Sequence, residues 1–264
     1  MMSWSPFPPQ TQAVQMDEDW SFVYKKEAHC DPEEPADLHC GDDWDHTAVD
    51  PESRLLLSLV PGKRTVENCQ KLVDEVQRRT CGRTDILYTS DEHAPYKAAI
   101  EKAYTVEVPQ AKRPGPGRPP KPKRLLPGDL CYATVCKTRE KGRVVHVVRT
   151  VVFGTLALVT GLLSRLQGDH RTINTSFVER RNGTDRGQNA RKTRKSYRFS
   201  KDWDLHNAAT YFICYSYNFC WPVRTLRVQR DDGSWMQRTP AMAAGLASHV
   251  WTLQEWLTYP AKPG

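Results

Sequence analysis

Residues 14–24, VQMDEDWSFVY, decide the predicted fold of this chain. Apolar side chains recur with the period of two that is typical of a β-strand. One face of the strand would carry Val14, Met16, Trp20, Phe22 and Tyr24. Asp17 would point to the opposite face, so the stretch predicts a strand that presents a carboxylate away from its apolar side.

The elements after this strand predict an α/β fold. The near-continuous apolar run at 54–60 is typical of a central strand covered on both faces. After the first strand we predict strands at 44–50 and 54–60, followed by a helix capped by Thr65 and stopped by Gly82. A strand at 85–90 and a helix at 95–104 come next. The last predicted elements are a strand at 142–154, a helix that carries Glu179 and a helix at 203–217. Three strands, a helix, a strand, a helix, a strand and a helix is the order of a ribonuclease-H-like fold, a mixed sheet flanked by helices. The strands of Asp17 and Asp91 would then be neighbours.

Composition divides the chain into four segments. We predict a disordered amino terminus at 1–13, a ribonuclease-H-like domain formed by 14–109 and 129–221, a proline-rich basic insert at 110–128, and a tail with short helices at 222–264.

Charge is distributed unevenly along the chain. Residues 1–105 hold 11 Lys+Arg against 20 Asp+Glu, a net charge of −9, and residues 106–264 hold 27 against 11, a net charge of +16. This asymmetry favours metal binding in the first part and nucleic-acid binding in the second, although solvated acidic loops would give the same count. The eight cysteines indicate a reducing cytoplasm. The apolar run at 150–163 is too short to span a bilayer and is interpreted as a buried strand that runs into a helix.

Three acidic residues are the candidate metal ligands: Asp17, Asp91 and Glu179. Two would lie on or just after strands and the third on a helix, and such a set can hold two Mg²⁺ or Mn²⁺ ions for phosphodiester chemistry. Glu18, Asp19 and Glu92 are the nearest alternatives, with side chains expected in solvent or behind the ligands.

Basic residues follow the third acid closely. The predicted DNA-contacting residues are Arg180, Arg181, Asn182, Arg186, Arg191, Lys192, Arg194, Lys195, Arg198 and Lys201. Arg118 lies in a Gly-Arg-Pro core that resembles an AT-hook, and a plain basic linker is the alternative. His29, Cys30, His39 and Cys40 leave a zinc site open, although their spacing is unlike that of structural zinc sites.

The three candidate acids lie in the stretches MDEDWSFV at 16–23, TSDEHAPY at 89–96 and NTSFVERRNGTDR at 174–186. The third stretch is followed by RKTRKSYRFSKDWDLH at 191–206. Together these motifs resemble a DDE-type transposase of the insertion-sequence-one family. The resemblance covers about residues 14–221. It implies a transposase that cuts the ends of a transposable element and joins them to target DNA. Asp17 would bridge two metal ions, and Asp91 and Glu179 would each hold one.

The resemblance also implies partners: double-stranded DNA, a second copy of the chain, and a zinc-finger and helix-turn-helix region normally found before the first acid. Only 16 residues precede Asp17, so the chain is expected to be the catalytic half of a longer product. Asp91 and Glu179 are 88 positions apart, further than is usual for the class, and the proline-rich insert would account for the excess. The alternatives are a catalytically silent DNA-binding remnant or regulator, and a nuclease of the same fold. The expected location is the cytoplasm, in association with DNA.

Overall fold

The structure, a computed structural model, describes residues 10–110, 120–166, 171–193 and 195–259. A six-stranded mixed sheet forms its centre, with strands in the order β3-β2-β1-β4-β7-β8. The strands of this sheet are β1 (Ala13–Val23), β2 (Gly41–Val49), β3 (Leu56–Val60), β4 (Leu87–Ser90), β7 (Cys131–Glu140) and β8 (Arg143–Phe153). β1, β2 and β3 are successively antiparallel, β4 is parallel to β1, β7 is parallel to β4, and β8 is antiparallel to β7.

Helices flank the sheet. They are α1 (Val66–Arg79), α2 (Ala94–Tyr104), α3 (Leu156–Arg165), α4 (Ser176–Gln188), α5 (Trp203–Cys220), α6 (Pro240–Ala243) and α7 (Leu253–Thr258). α1 and α2 bury their apolar faces against Val14 and Met16 of β1. α4 and α5 contribute Val178 and Cys214 to a smaller cluster with β2 and β3. The mixed sheet flanked by helices agrees with the predicted fold class.

Several predicted elements are confirmed by the structure. Thr65 caps α1 by accepting a hydrogen bond from the backbone N–H of Asn68 at 3.2 Å. Gly82 follows that helix with φ of +69°, a backbone conformation that favours glycine. β4 ends one residue before Asp91, and the helix predicted at 203–217 is present and three residues longer.

The strand prediction after the insert was incomplete. Residues 131–140 form β7, which the sequence analysis did not identify, and β7 pairs with β4 in the interior of the sheet. The predicted strand at 142–154 is β8, which lies at the edge of the sheet and is mostly exposed. The interpretation of 150–163 as a buried strand running into a helix is therefore correct for the helix α3 and wrong for the burial of the strand.

The predicted segment boundaries also change. Ala13 already belongs to β1, and the rest of the predicted disordered terminus up to residue 9 lies outside the described residues. In the insert, residues 111–119 lie outside them as well, and β6 (Lys123–Leu125) pairs with β5 (Val106–Val108). The tail is not separate from the domain, because Ala241, Trp251 and Trp256 pack into the main core. The tail also contains the short strands β9 (Val228–Gln229) and β10 (Trp235–Met236). In the part of the chain described here, no helix combines the length and the apolarity needed to cross a membrane.

Candidate active site

The parallel pairing of β1 and β4 brings the first two candidate acids together. Gln15 lies opposite Thr89 in this pairing. Two residues further along each chain are Asp17 and Asp91, so both carboxylates extend from the same end of the pair. Gln15 also positions the third acid, because its Oε1 accepts hydrogen bonds from the backbone N–H groups of Phe177 and Val178 at the start of α4. Glu179 lies in that first turn.

All three acids line one open pocket of about 810 Å³. The structure thus brings together the three residues that the sequence analysis chose from separate regions. The other residues that line the pocket are Glu18, Arg64, Glu92, His93, Val135, Cys136, Lys137, Arg139, Thr175, Asn182 and Arg186. The pocket therefore combines a carboxylate centre with four cationic side chains.

Asp17 is the most perturbed of the three acids. Burial, followed by the charges of Glu18, Asp91 and Glu179, raises its pKa to about 7. Asn182 from α4 donates a hydrogen bond to Asp17 Oδ2 at 2.9 Å. This bond holds one carboxylate oxygen of Asp17 in place, and the Asp17 side chain still lines the pocket.

Asp91 is held by the turn that follows it. Its Oδ1 accepts the backbone N–H of His93 at 3.0 Å. Burial raises the pKa of Asp91, and the hydrogen bond from His93 opposes that rise. Both strand carboxylates therefore bind a proton more readily than an exposed aspartate does.

Glu179 is engaged by a cation of the protein itself. The ammonium of Lys137, on β7, forms an ion pair with Glu179 Oε1 and donates a hydrogen bond to Thr175 Oγ1 at 3.1 Å. The hydroxyl of Thr175 also contacts Glu179 Oε1. The sequence analysis missed Lys137 because it lies on the strand that was not identified.

The alternative acids have different environments. Glu18 is almost fully buried and pairs with Arg64 at 2.7 Å, and Asp19 is buried and forms an ion pair with Arg186. Burial raises the pKa of Asp19 to about 6 although the charges of Arg186 and Lys192 oppose the rise. Glu92 is exposed at the pocket. Glu18 and Asp19 are therefore not in solvent. Glu18 lines the pocket beside the three acids, whereas Asp19 is buried and is not among the lining residues.

A buried layer of charged side chains lies between the sheet and α4. Lys192 forms ion pairs with Asp45 and Asp185, the latter at 2.7 Å, and its side chain is 0% exposed. Burial lowers the pKa of Lys192, but the charges of Asp45 and Asp185 outweigh it and raise that pKa. Lys192 thus stays charged and neutralises acids of the interior.

Asp43, Asp45 and His206 form a buried cluster within this layer that could hold a metal ion, since their ligand atoms lie within 4.8 Å of one another. His206 Nε2 is 3.1 Å from Asp43 Oδ2, and Lys192 pairs with Asp45. The ammonium of Lys192 already supplies a cation to this cluster.

The predicted DNA-contacting residues divide into two groups. Arg181, Asn182 and Lys192 are buried. Arg181 lies over the ring of Tyr217 at 4.3 Å, so its guanidinium packs in the interior. The expectation that these three residues face DNA does not fit their burial.

The other predicted contacts remain closer to solvent. Arg180, Lys195, Arg198 and Lys201 are exposed, and Arg186 and Arg191 are half-buried. Arg118 and Arg194 lie outside the described residues.

The cysteines and histidines near the amino terminus do not come together as a ligand set. Among the described residues, the groups with metal-ligand spacing are Asp43, Asp45 and His206, and Glu18, Cys69 and His93. Neither includes His29, Cys30, His39 or Cys40.

Comparison with known proteins gives this chain no family: no protein family profile matches it, and no curated protein is significantly similar to it.

Proposed function

We propose that this chain is a metal-dependent DNA transposase with a ribonuclease-H-like fold, of the kind found in the insertion-sequence-one family. The observation that carries the proposal is the convergence of Asp17, Asp91 and Glu179 on one pocket from two strands and a helix. The arrangement of the sheet supports it. Strands β3, β2 and β1 are antiparallel, and β4 and β7 continue parallel to β1, as expected for that fold.

The pocket residues fit divalent cations with oxygen ligands. Three carboxylates are the ligand type that Mg²⁺ and Mn²⁺ prefer. Burial and the neighbouring acids raise the pKa of Asp17, which means that its negative charge is unfavourable in the folded protein. A bound cation would offset this cost. Two such ions held by Asp17, Asp91 and Glu179 would activate water or a DNA 3′-hydroxyl and stabilise the leaving oxygen.

The protein orients each carboxylate by a different group. Asn182 holds Asp17, the backbone amide of His93 holds Asp91, and Lys137 holds Glu179. For Glu179 to bind a cation, the Lys137 ammonium must leave it. Lys137 would then be free to contact a phosphate oxygen at the pocket, where Arg139 adds a second positive charge.

The exposed basic residues after α4 supply the proposed DNA surface. Arg180 on α4 and Lys195, Arg198 and Lys201 beyond it are open to solvent. Contacts of this type position the DNA backbone without reading its sequence. The handling of two transposon ends by two copies of the chain follows from the family resemblance.

Cleavage and joining of labelled DNA tests the proposal. The substrate is a duplex with the sequence that flanks the gene, incubated with the purified chain and Mg²⁺ or Mn²⁺. We expect nicked and joined products from the wild type, and from Asp91→Asn no products but unchanged DNA binding. Asp85→Asn is the matched control, because Asp85 is exposed near the start of β4 and pairs with Arg83.

Two outcomes would contradict the proposal. Equal activity of Asp91→Asn and wild type would show that the reaction does not need the carboxylate pocket. If both proteins bind DNA and neither cuts it with either ion, the chain is a catalytically silent DNA-binding remnant or regulator.

A further inference from the structure

A second group of potential ligands lies on the face of β1 opposite Asp17. Glu18 follows Asp17 on the strand and therefore points to the side covered by α1 and α2. There its carboxylate meets Cys69 from α1 and His93 from the turn before α2. Their ligand atoms all lie within 4.8 Å of one another.

This group holds buried polar atoms without partners. The Glu18 side chain is 2% exposed, and Arg64 pairs with its Oε2 at 2.7 Å. Glu18 Oε1 and His93 Nε2 are buried and have no hydrogen-bond partner among the described residues. Tyr96 Oη approaches Glu18 without reaching hydrogen-bond geometry. A buried carboxylate oxygen without a partner costs free energy, which a bound cation would offset.

His46 lies beside this group on the neighbouring strand, although it is not one of the three residues with metal-ligand spacing. It lies directly opposite Glu18 in the pairing of β1 and β2 and is fully buried. Its Nδ1 is 3.3 Å from the carbonyl oxygen of Val60, which can only accept, so Nδ1 carries the hydrogen. His46 Nε2 is then a lone-pair donor, and it too is buried without a partner.

We propose that Glu18, Cys69 and His93 form a binding site for Zn²⁺ at the edge of the carboxylate pocket. A thiolate and an imidazole nitrogen favour Zn²⁺, whereas the three pocket acids offer only oxygen. Glu18 and His93 also line the pocket, which provides the entry path. Binding releases the proton of the Cys69 thiol to solvent.

The zinc ion would act on the pocket through His93. The side chain of His93 would bind the ion while its backbone N–H holds Asp91 at 3.0 Å. The ion would also join β1, α1 and the turn before α2 at one point. His93 is in this sense a positioning residue for Asp91.

Cobalt titration of the metal-free full-length chain tests the site. Co²⁺ bound by a thiolate gives a sulfur-to-cobalt charge-transfer absorption, which carboxylate ligands alone cannot produce. We expect one equivalent of Co²⁺ to develop this band, one equivalent of Zn²⁺ to remove it, and excess Mg²⁺ to leave it unchanged. Cys69→Ser should lose the band. Cys136→Ser should keep it, because Cys136 lines the pocket but lies outside the ligand group.

Two further variants are tested by their Zn²⁺ affinity, a measurement that does not depend on DNA cleavage. His93→Gln should lower the Zn²⁺ affinity measured against a chromophoric chelator, and Asp85→Asn, at an exposed position near the start of β4, should leave it unchanged. Absence of the band in the folded wild type would overturn the proposal. A band that survives in folded Cys69→Ser, or that is lost in Cys136→Ser, would overturn it as well.

Discussion

Replacement of Asp17 by Asn should stabilise the metal-free protein above neutral pH. The two side chains have nearly the same shape, and an asparagine oxygen can accept the hydrogen bond that Asn182 now donates to Asp17. The variant therefore removes a charge and keeps the packing. The charge is unfavourable in the folded protein because Asp17 is buried beside Glu18, Asp91 and Glu179.

The size of the effect follows from the pKa. Folding raises the pKa of Asp17 from 3.8 to about 7, and at about 1.4 kcal/mol per pKa unit this difference corresponds to about 4 kcal/mol. Below pH 3.8 the carboxyl group is protonated in both states and adds nothing. As the pH rises from 3.8 to about 7, only the unfolded state loses the proton, so stability falls. Above that range the full penalty remains.

Urea denaturation from pH 4 to pH 8.5 in the presence of a chelator measures the difference. The free energies of unfolding of wild type and Asp17→Asn should nearly coincide at pH 4 and separate by up to about 4 kcal/mol at pH 8.5. Mg²⁺ should then raise the stability of the wild type more than that of the variant. Asp231→Asn, in an exposed turn, is the control. Parallel curves for wild type and Asp17→Asn would refute the reasoning.

Three further substitutions test other contacts. Lys137→Met frees Glu179 and should tighten Mg²⁺ binding about fivefold by calorimetry, since a partly exposed ion pair contributes about 1 kcal/mol; weaker binding would contradict this. Lys192→Met leaves Asp45 and Asp185 without their buried cation and should lower the free energy of unfolding by about 3–5 kcal/mol, whereas exposed Arg180→Met should change it by less than about 0.5 kcal/mol. Equal losses would argue against a buried network. Thr65→Ala removes the cap of α1 and should cost about 1 kcal/mol in urea denaturation, and an unchanged midpoint would show that the cap is dispensable.

The fold was predictable where residue patterns are local. Helix α1 has an apolar face at helical spacing and a capping threonine, and both signals were sufficient. Strand β7 was missed because its sequence, CYATVCKTRE, mixes polar and apolar residues and its second half is half-buried or exposed. Its position in the sheet depends on pairing with β4, which no local pattern specifies.

The sequence identified the three acids of the candidate site, but it did not show which basic residues are buried. The buried positions of α4 are Val178, Arg181, Asn182 and Asp185, which have helical spacing but are mostly polar. Such a face resembles a solvated basic surface in the sequence. The strands that face α4 explain its buried polar residues, because β1 and β2 carry buried acids on that side. Part of the charge asymmetry between the two halves of the chain is therefore neutralised within the molecule.

Because Lys192 is buried, its ion pairs should respond to ionic strength differently from the exposed basic residues. At about 1 M salt, interactions between exposed charges are screened within about 3 Å, whereas buried pairs are screened much less. Concentrated salt should therefore detach a polyanion from Lys195, Arg198 and Lys201 while the contacts of Lys192 with Asp45 and Asp185 persist. A wash in strong salt should therefore remove any bound nucleic acid before metal titration while the buried ion pairs of Lys192 persist.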